Sequence, residues 1–391
     1  MSELFWPGDE RAGALMSDQA LLDAMTRVEA AWLAVLRSTG TAPDVEPGAL
    51  VPPQRLDGIE AGGNPVIPLV AALREALPAP ARVWVHRGLT SQDTLDTALV
   101  LCLRDVVAAV VGDGRRQVVA LSELAEAHRA TLSTARTLTQ PAVPTTFGLT
   151  AARWLDAVVG ALSDLRAVTF PVQAGGAGGT LAGIVAVAGG TAEAQRLVDA
   201  FAAELGLEPS DTWHTARRPL VRIGDGLLGC VDAWGKLAND VLVRARPEIG
   251  ELGEQTPGGS STMPHKQNPV LSVLLKRAAI TAPFQAATLH ACAAAAVDER
   301  PDGAWHAEWA ALRSLGRLTA TAASQAADLV EGLTVHPDRL RANAEAVADD
   351  LLSEQRAITG AGGKLEDYLG ATEQLIDRAL ARARHFLQEA T

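Results

Sequence analysis

The sequence predicts an all-α fold built as a bundle of long helices, and three observations carry that expectation. Aromatic residues make up 4% of the chain against a hydrophobic share of 48%, dominated by alanine, leucine and valine, and helices packed on small side chains suit such a composition better than sheets do. From Thr94 to His128 apolar positions recur at helical spacing with no internal proline, the pattern of one long helix or two nearly collinear ones. Strand alternation, sequence repeats and a low-complexity tail are not found in the pattern. With 391 residues the chain can hold two or three domains and a large core.

Taken in order, Ser17 to Ser38 reads as an amphipathic helix, with Ser17 or Asp18 placed to cap its first turn. Thr41 to Pro68 is rich in proline and glycine, and Gly62-Gly63-Asn64-Pro65 is loop chemistry. Helical pattern returns over Val66–Leu77 and over Thr146–Thr169. Between them Arg136–Pro144 reads as irregular, because Pro141 and Pro144 stand close together. Gln173–Thr180 is too glycine-rich to be regular, and its glycines permit positive φ and close backbone approach. Further helices are expected over Leu220–Arg246, Asn268–Val297 and Ala307–Glu331, with a polar, glycine-rich loop from Gly253 to Lys266. Runs of this length indicate a bundle. The remainder, from about Thr334 to Thr391, looks like a small helical cap.

Bulk charge narrows the partners. Lysine and arginine number 34 against 46 acidic residues, a net charge of -12, which argues against nucleic acid or an anionic membrane surface. Cys102, Cys230 and Cys292 are sparse, odd in number and set in apolar surroundings. They read as buried free thiols of a reducing compartment, neither disulfides nor a zinc site. MSELFWPGDERAGAL has no signal-peptide pattern, and the apolar runs are punctuated by charge, so the expectation is a soluble cytoplasmic protein.

The chemistry concentrates in Gly258-Gly259-Ser260-Ser261-Thr262-Met263-Pro264-His265-Lys266-Gln267-Asn268-Pro269. Two adjacent serine hydroxyls share a loop with Lys266, one of only four lysines in the chain (Lys236, Lys266, Lys276 and Lys364). Asn268-Pro269 opens a helix, whose N-terminus offers N–H groups to an anion. A serine beside a lysine and such an N-terminus can be drawn toward the alkoxide and act as a base. Residue types alone leave a second reading equally open, a flexible surface linker with a solvated Lys266.

This segment resembles, at every defined position and without a gap, the GSSxMPxKxNP signature of the fumarase/aspartase superfamily. The resemblance implies Ser260 as catalytic base, with Ser261, Lys266 and Asn268 on a substrate carboxylate and Met263 beside the substrate. Two other stretches match the separated signature regions of that superfamily. His86 to Ala98, HRGLTSQDTLDTA, supplies His86, Thr90, Ser91 and Gln92, which would orient carboxylates. Ser91 or Asp93 would equally serve to cap the following helix. Arg136 to Gly148 supplies Thr139 and Gln140 as substrate contacts. The TSQD…DTA form is similar to that of the carboxymuconate cycloisomerases. So are Gly63–Val70, Gly175–Thr180, Trp213–Arg217 and Asp298–Trp309.

The second region also departs from part of the superfamily. Pro141 stands where adenylosuccinate lyases and some cycloisomerases carry a histidine assigned as general acid, and Leu138 replaces another histidine of the adenylosuccinate lyases. Proline has no ionisable group and no backbone donor, so a proton donor must come from His86, His214 or water. Arg217 and Arg300 would grip carboxylates in bidentate fashion or hold helices together. His306, between Trp305 and Trp309, is as readily a packing residue as a catalytic one.

The resemblance runs from about Asp18 to Leu333 and then thins; Leu340–Val347 and Tyr368–Leu380 look like the start and end of a shortened C-terminal domain. It implies three domains: 1–98 N-terminal, 99–332 central long-helix bundle and 333–391 C-terminal. It also implies a homotetramer whose sites draw on more than one subunit. The implied reaction interconverts 3-carboxy-cis,cis-muconate and 4-carboxymuconolactone, a step of aromatic catabolism by the β-ketoadipate pathway. The substrate is a small tricarboxylate, and no cofactor or metal is called for, nor is metal-ligand spacing present. The alternative is a related lyase, adenylosuccinate lyase-like or nitrosuccinate lyase-like, releasing fumarate from a substituted succinate. An intact Ser260/Lys266 loop counts against a non-enzymatic relative.

Overall fold

The computed structural model describes residues 4–43 and 50–389, so the proline- and glycine-rich stretch expected over 41–68 lies partly outside the described residues. The molecule is 64% helical. Helix α1 spans Asp18–Ser38, and the Ser17 hydroxyl caps it by accepting the Ala20 N–H at 3.1 Å. Short helices α2 (Ile59–Gly62), α3 (Val66–Glu75) and α4 (Ala79–Arg82) lead into α5, Ser91–Ala127. That helix is one unbroken rod of 37 residues, roughly 55 Å long at ~1.5 Å per residue. The expected boundary after residue 98 falls inside it, so the first two segments share one continuous helix.

The segment expected to be irregular is instead a β-hairpin. β1 (Leu132–Thr137) pairs antiparallel with β2 (Gln140–Thr146), with a bulge between Thr134 and Arg136. Leu138 and Thr139 form the two-residue tip at φ of 48° and 74°, the left-handed geometry of the tight hairpin turn. Pro141 and Pro144 hid the strand from a pattern reading, yet a two-stranded ribbon has only edges, where proline is tolerated.

Helix α6 (Phe147–Arg166) follows, then two helices the sequence reading left unassigned, α7 (Ala182–Ala188) and α8 (Thr191–Leu205). Next come α9 (Arg218–Arg244), strand β3 (Leu252–Glu254), α10 (Val270–Ala294) and α11 (Gly303–Glu331). Strand β4 (Leu333–Val335) pairs antiparallel with β3. The chain closes on α12 (Pro337–Glu345), α13 (Ala348–Leu351), α14 (Ser353–Thr359) and α15 (Thr372–Gln388).

Five long helices make the bundle. α10 lies against α9 and α11, α5 against α6 and α11, and α6 against α9, while α1 and α15 pack on the outside. Buried Trp234 on α9 donates to Gln117 Oε1 on α5 at 2.7 Å, and Gln117 Nε2 donates to the Ala323 carbonyl on α11 at 2.8 Å. One satisfied polar chain thus ties three helices through an apolar core, where an unpaired amide would be costly. All three cysteines are free and buried, and burial pushes the Cys102 and Cys230 thiols up to about 12. Among the described residues no helix is long and apolar enough to cross a membrane.

Candidate active site

The signature loop is built on a fixed base. Gly258 and Asn268 exchange backbone hydrogen bonds, Gly258 N–H to Asn268 O at 2.8 Å and Asn268 N–H to Gly258 O at 2.9 Å. The Asn268 side-chain amide adds a bond to the Gly259 carbonyl at 2.9 Å. A Cβ on Gly258 would sit 2.2 Å from Val270 Cγ2, so only glycine fits this crossing. Above the base, Ser261 to Gln267 are exposed. The Ser260 hydroxyl accepts the Met263 N–H at 3.1 Å and, more weakly, the Thr262 N–H at 3.4 Å. Donors aimed at that oxygen favour its anionic form.

The helix N-terminus beyond the loop is not open to an anion in the way the sequence suggests. Glu254, on β3, already occupies it. Its Oε2 accepts the Leu271 N–H at 3.1 Å, and its Oε1 accepts the Ser272 N–H at 2.9 Å and the Ser272 hydroxyl at 2.8 Å. An acid four residues before the GGSS run was a legible signal for this, since carboxylates favour helix N-termini. It passed unnoticed because the cap comes from outside the helix's own flank.

The first signature region lies at the other end of the bundle. α10 runs 25 residues, roughly 37 Å, from the loop at its start to Arg300 just beyond its end. Arg300 Nη2 donates to Thr90 Oγ1 at 2.5 Å. His86, in left-handed backbone geometry at φ 61°, sets its Nδ1 2.7 Å from Glu29 Oε1, which also accepts the Thr94 hydroxyl at 2.7 Å. Glu29 is fully buried and sequence reasoning missed it. Asp93 accepts the Thr90 N–H at 2.9 Å, as a capping acid should, and stands 2.8 Å from His214 Nε2. Ser91 opens α5.

Two expected substrate ligands are spoken for. Arg217 is buried, and its Nη1 and Nη2 meet Asp96 at 2.6 and 3.0 Å while Nη2 and Nε meet Glu308 at 2.7 and 3.1 Å. Nη1 also donates to the His214 carbonyl at 3.2 Å. A guanidinium has five N–H donors, and these partners use them all, so Arg217 is corrected from substrate ligand to core ion-pair centre. Burial pushes its guanidinium down, and Asp96 and Glu308 more than reverse this, leaving it above its ordinary value. Gln92 is fully buried, and its amide donates to Asp96 at 3.1 Å and to the His214 carbonyl at 2.8 Å. It braces the same cluster and faces no solvent. Trp305 Nε1 completes the set at 2.9 Å from Asp96. His306 bridges two backbone carbonyls, Gly63 at 2.9 Å and Asp302 at 3.1 Å, and packs between Trp305 and Trp309.

The second region, Thr139 and Gln140, sits exposed at the hairpin tip, where Gln140 Nε2 donates to Thr139 Oγ1 at 3.1 Å. Close to that tip, Arg136 bonds Glu251 at 2.6 and 3.2 Å. Arg244 and Asn343 hold the same buried Glu251. Within one chain, the structure therefore gathers His86, Thr90, Ser91, His214 and Arg300 at one end of α10. Ser260, Ser261, Met263, Lys266 and Asn268 gather at the other.

The family model described as Lyase matches residues 62–282. A nitrosuccinate lyase of Streptomyces davaonensis is 43% identical over 364 residues, covering 88% of this chain and 77% of that one. A 3-carboxy-cis,cis-muconate cycloisomerase of Pseudomonas aeruginosa is 39% identical over 349 residues, with coverage of 84% and 74%. Among solved structures, the 3-carboxy-cis,cis-muconate lactonizing enzyme of Pseudomonas putida superposes with a TM-score of 0.85 at 31% identity, over 98% of this chain and 100% of that one. A matched helical core, an intact signature loop and relatives of this extent lead to one conclusion: the chain is an enzyme of the fumarase/aspartase lyase superfamily.

Proposed function

We propose that the protein is a 3-carboxy-cis,cis-muconate cycloisomerase working with Ser260 as its acid–base group. The observation that carries the reading is the Ser260 loop: a hydroxyl receiving two backbone N–H groups, on a closed base that also carries Lys266 and Asn268. In the lactonising direction a substrate carboxylate oxygen adds to the β-carbon and Ser260 gives its proton to the α-carbon. In reverse, the Ser260 alkoxide takes the α-proton, two negative charges build on the adjacent carboxylate, and the lactone C–O bond breaks. Lys266 and Asn268 are the donors for that charge, a contribution often worth several kcal/mol.

The leaving group is compatible with Pro141. A departing carboxylate has a conjugate acid of pKa about 4, so it leaves without a proton. The departing amine of an adenylosuccinate-type reaction needs one. A hairpin tip of Leu138, Thr139, Gln140 and Pro141, with no titratable side chain, suits the first chemistry. Nitrite is also a weakly basic leaving group, and the 43% identical relative favours nitrosuccinate elimination as the second reading.

We also propose a homotetramer, because the parts of the site stand apart in one chain and the protomer carries uncovered apolar surface. Val273, Ile280 and Phe284 line one stripe of α10 at 51, 61 and 70% exposure, and Leu138 at the hairpin tip is 96% exposed. Patches of this kind mark association surfaces.

The test is a spectrophotometric assay of the purified protein. Loss of the conjugated-diene absorbance of 3-carboxymuconate is expected, with no turnover of adenylosuccinate. Nitrite release from nitrosuccinate in its place would move the assignment to the second reading, and no activity on either would defeat both.

A further inference from the structure

We propose that Asp93 and His214 form a buried dyad that presents His214 Nδ1 to a carboxylate of the ligand and takes up a proton as it binds. The inference deepens the proposed function only in naming that carboxylate. Asp93 is fully buried and both its oxygens are engaged by N–H donors. Oδ1 accepts from Gly175 N at 2.8 Å and meets His214 Nε2 at 2.8 Å, and Oδ2 accepts from Thr90 N at 2.9 Å and Gly176 N at 2.9 Å. Its other close partners are all backbone N–H groups. Nε2 of His214 must then be the donor, which leaves Nδ1 as the nitrogen that gains or loses the proton.

That nitrogen has no partner although His214 is only 3% exposed. Buried polar atoms are rarely left this way. The ring is bordered by the glycines of the Gly175–Thr180 loop and by the Thr212 side chain. A Cβ on Gly179 would lie 3.7 Å from Nδ1, and one on Gly175 would lie 2.9 Å from His214 Cε1. Gly176 and Gly179 take left-handed backbone at φ 71° and 72°, as does Leu181 at 59°, while Ala177 and Thr180 face solvent. A side chain at Gly175 would crowd the ring.

The charged groups linked to the dyad are Asp93, Arg217 and Arg300. Asp93 faces it from α5. Arg217 touches the His214 carbonyl from behind, already neutralised by Asp96 and Glu308. Arg300 holds Thr90, whose backbone N–H is on the same Asp93. A neutral His214 turns a lone pair toward an incoming carboxylate and repels it; a protonated one donates a charge-assisted hydrogen bond. Binding therefore draws in a proton. This also separates His214 from His86, whose ring lies partly open to solvent.

The experiment measures binding of propane-1,2,3-tricarboxylate by calorimetry at pH 8 in two buffers of different ionisation enthalpy, and its affinity from pH 7 to 9. The wild type should take up about one proton per site and bind about tenfold more weakly per pH unit, the slope one linked proton dictates. His214→Gln should lose the uptake and the pH slope, while His385→Gln, on the outer helix α15 and away from the site, should keep both. In ¹⁵N spectra of the wild type, the His214 Nδ1 signal should move from the unprotonated to the protonated position as the tricarboxylate is added, a readout that does not depend on any variant folding. Binding without proton uptake, an unmoved Nδ1 signal, or no binding at all overturns the proposal. Because the probe does not react, these results stand apart from the turnover assay that tests the proposed function.

Discussion

Glu254 and Ser272 are joined twice, Oε1 accepting both the backbone N–H at 2.9 Å and the hydroxyl at 2.8 Å. The carboxylate that ends the strand before the signature loop is thereby the cap of the helix after it. Glu254→Ala should cost about 0.5–2 kcal/mol of stability, the usual loss for a missing cap, and should lower kcat by loosening the base that carries Ser260. Glu254→Gln, which keeps one acceptor, should fall between. Thermal unfolding and turnover measured together check this; wild-type values for both in the alanine variant would dismiss the cap as idle.

Ser260→Ala should reduce kcat by at least ~10², the scale of a lost proton-transfer group, with unfolding unchanged because the side chain is bonded only within its own loop. Retained turnover would falsify the assignment of the base.

Lys266→Met should raise KM and lower kcat together, since in the proposed mechanism it meets a carboxylate whose charge grows toward the transition state. Steady-state kinetics decide the matter. Unchanged values would mean that Lys266 is only a solvated charge.

Arg217→Met should destabilise the fold by about 3–5 kcal/mol, because it leaves Asp96 and Glu308 buried and unpaired. Burial raises the Glu308 carboxyl above its ordinary range, with Arg217 opposing and Asp96 adding to the rise. The folded state therefore holds the Glu308 proton more tightly than the unfolded chain does. Its contribution is full below the ordinary glutamate range and is lost as pH climbs through the raised value. Glu308→Gln should remove that part of the decline, seen as a flatter Tm against pH on the alkaline side of that range. An unaltered pH profile would mean that Glu308 does not titrate there.

His86→Ala and Ser260→Ala, each inactive alone, should partly restore activity when dissociated together and reassembled. The two residues lie at opposite ends of α10, roughly 37 Å apart along its axis, and the proposed tetramer would bring them together from different chains. No recovery in a mixed tetramer verified by mass would count against shared sites.

The helices were legible where the pattern was long. α1, its Ser17 cap, α5 and α6 all follow from apolar spacing and a capping residue. The β1–β2 hairpin was not, because Pro141 and Pro144 read as breakers and its tip lacks the Asn-Gly or Asp-Gly pair that flags such turns. At the site, residue types left loop chemistry and a solvated linker equally open, and the resemblance of the signature favoured the first. Sequence reasoning left Arg217 open between substrate ligand and helix brace, since nothing local shows that Asp96 and Glu308, each 91 or more positions away, converge on it. Glu29 beneath His86 was hidden for the same reason: tertiary contacts between distant helices leave no mark in spacing.

The pairing of Gly258 with Asn268 acts as a staple on a leash. Ser260 lies two positions beyond one post and Lys266 two positions before the other. At ~3.5 Å of reach per residue, neither backbone can stray more than about 7 Å from its post. Whatever path the residues between them take, the proposed proton carrier and its cation stay tethered to the same pair of posts. Local adaptability and a bounded encounter distance, normally opposed, are thus obtained from a single pair of backbone hydrogen bonds.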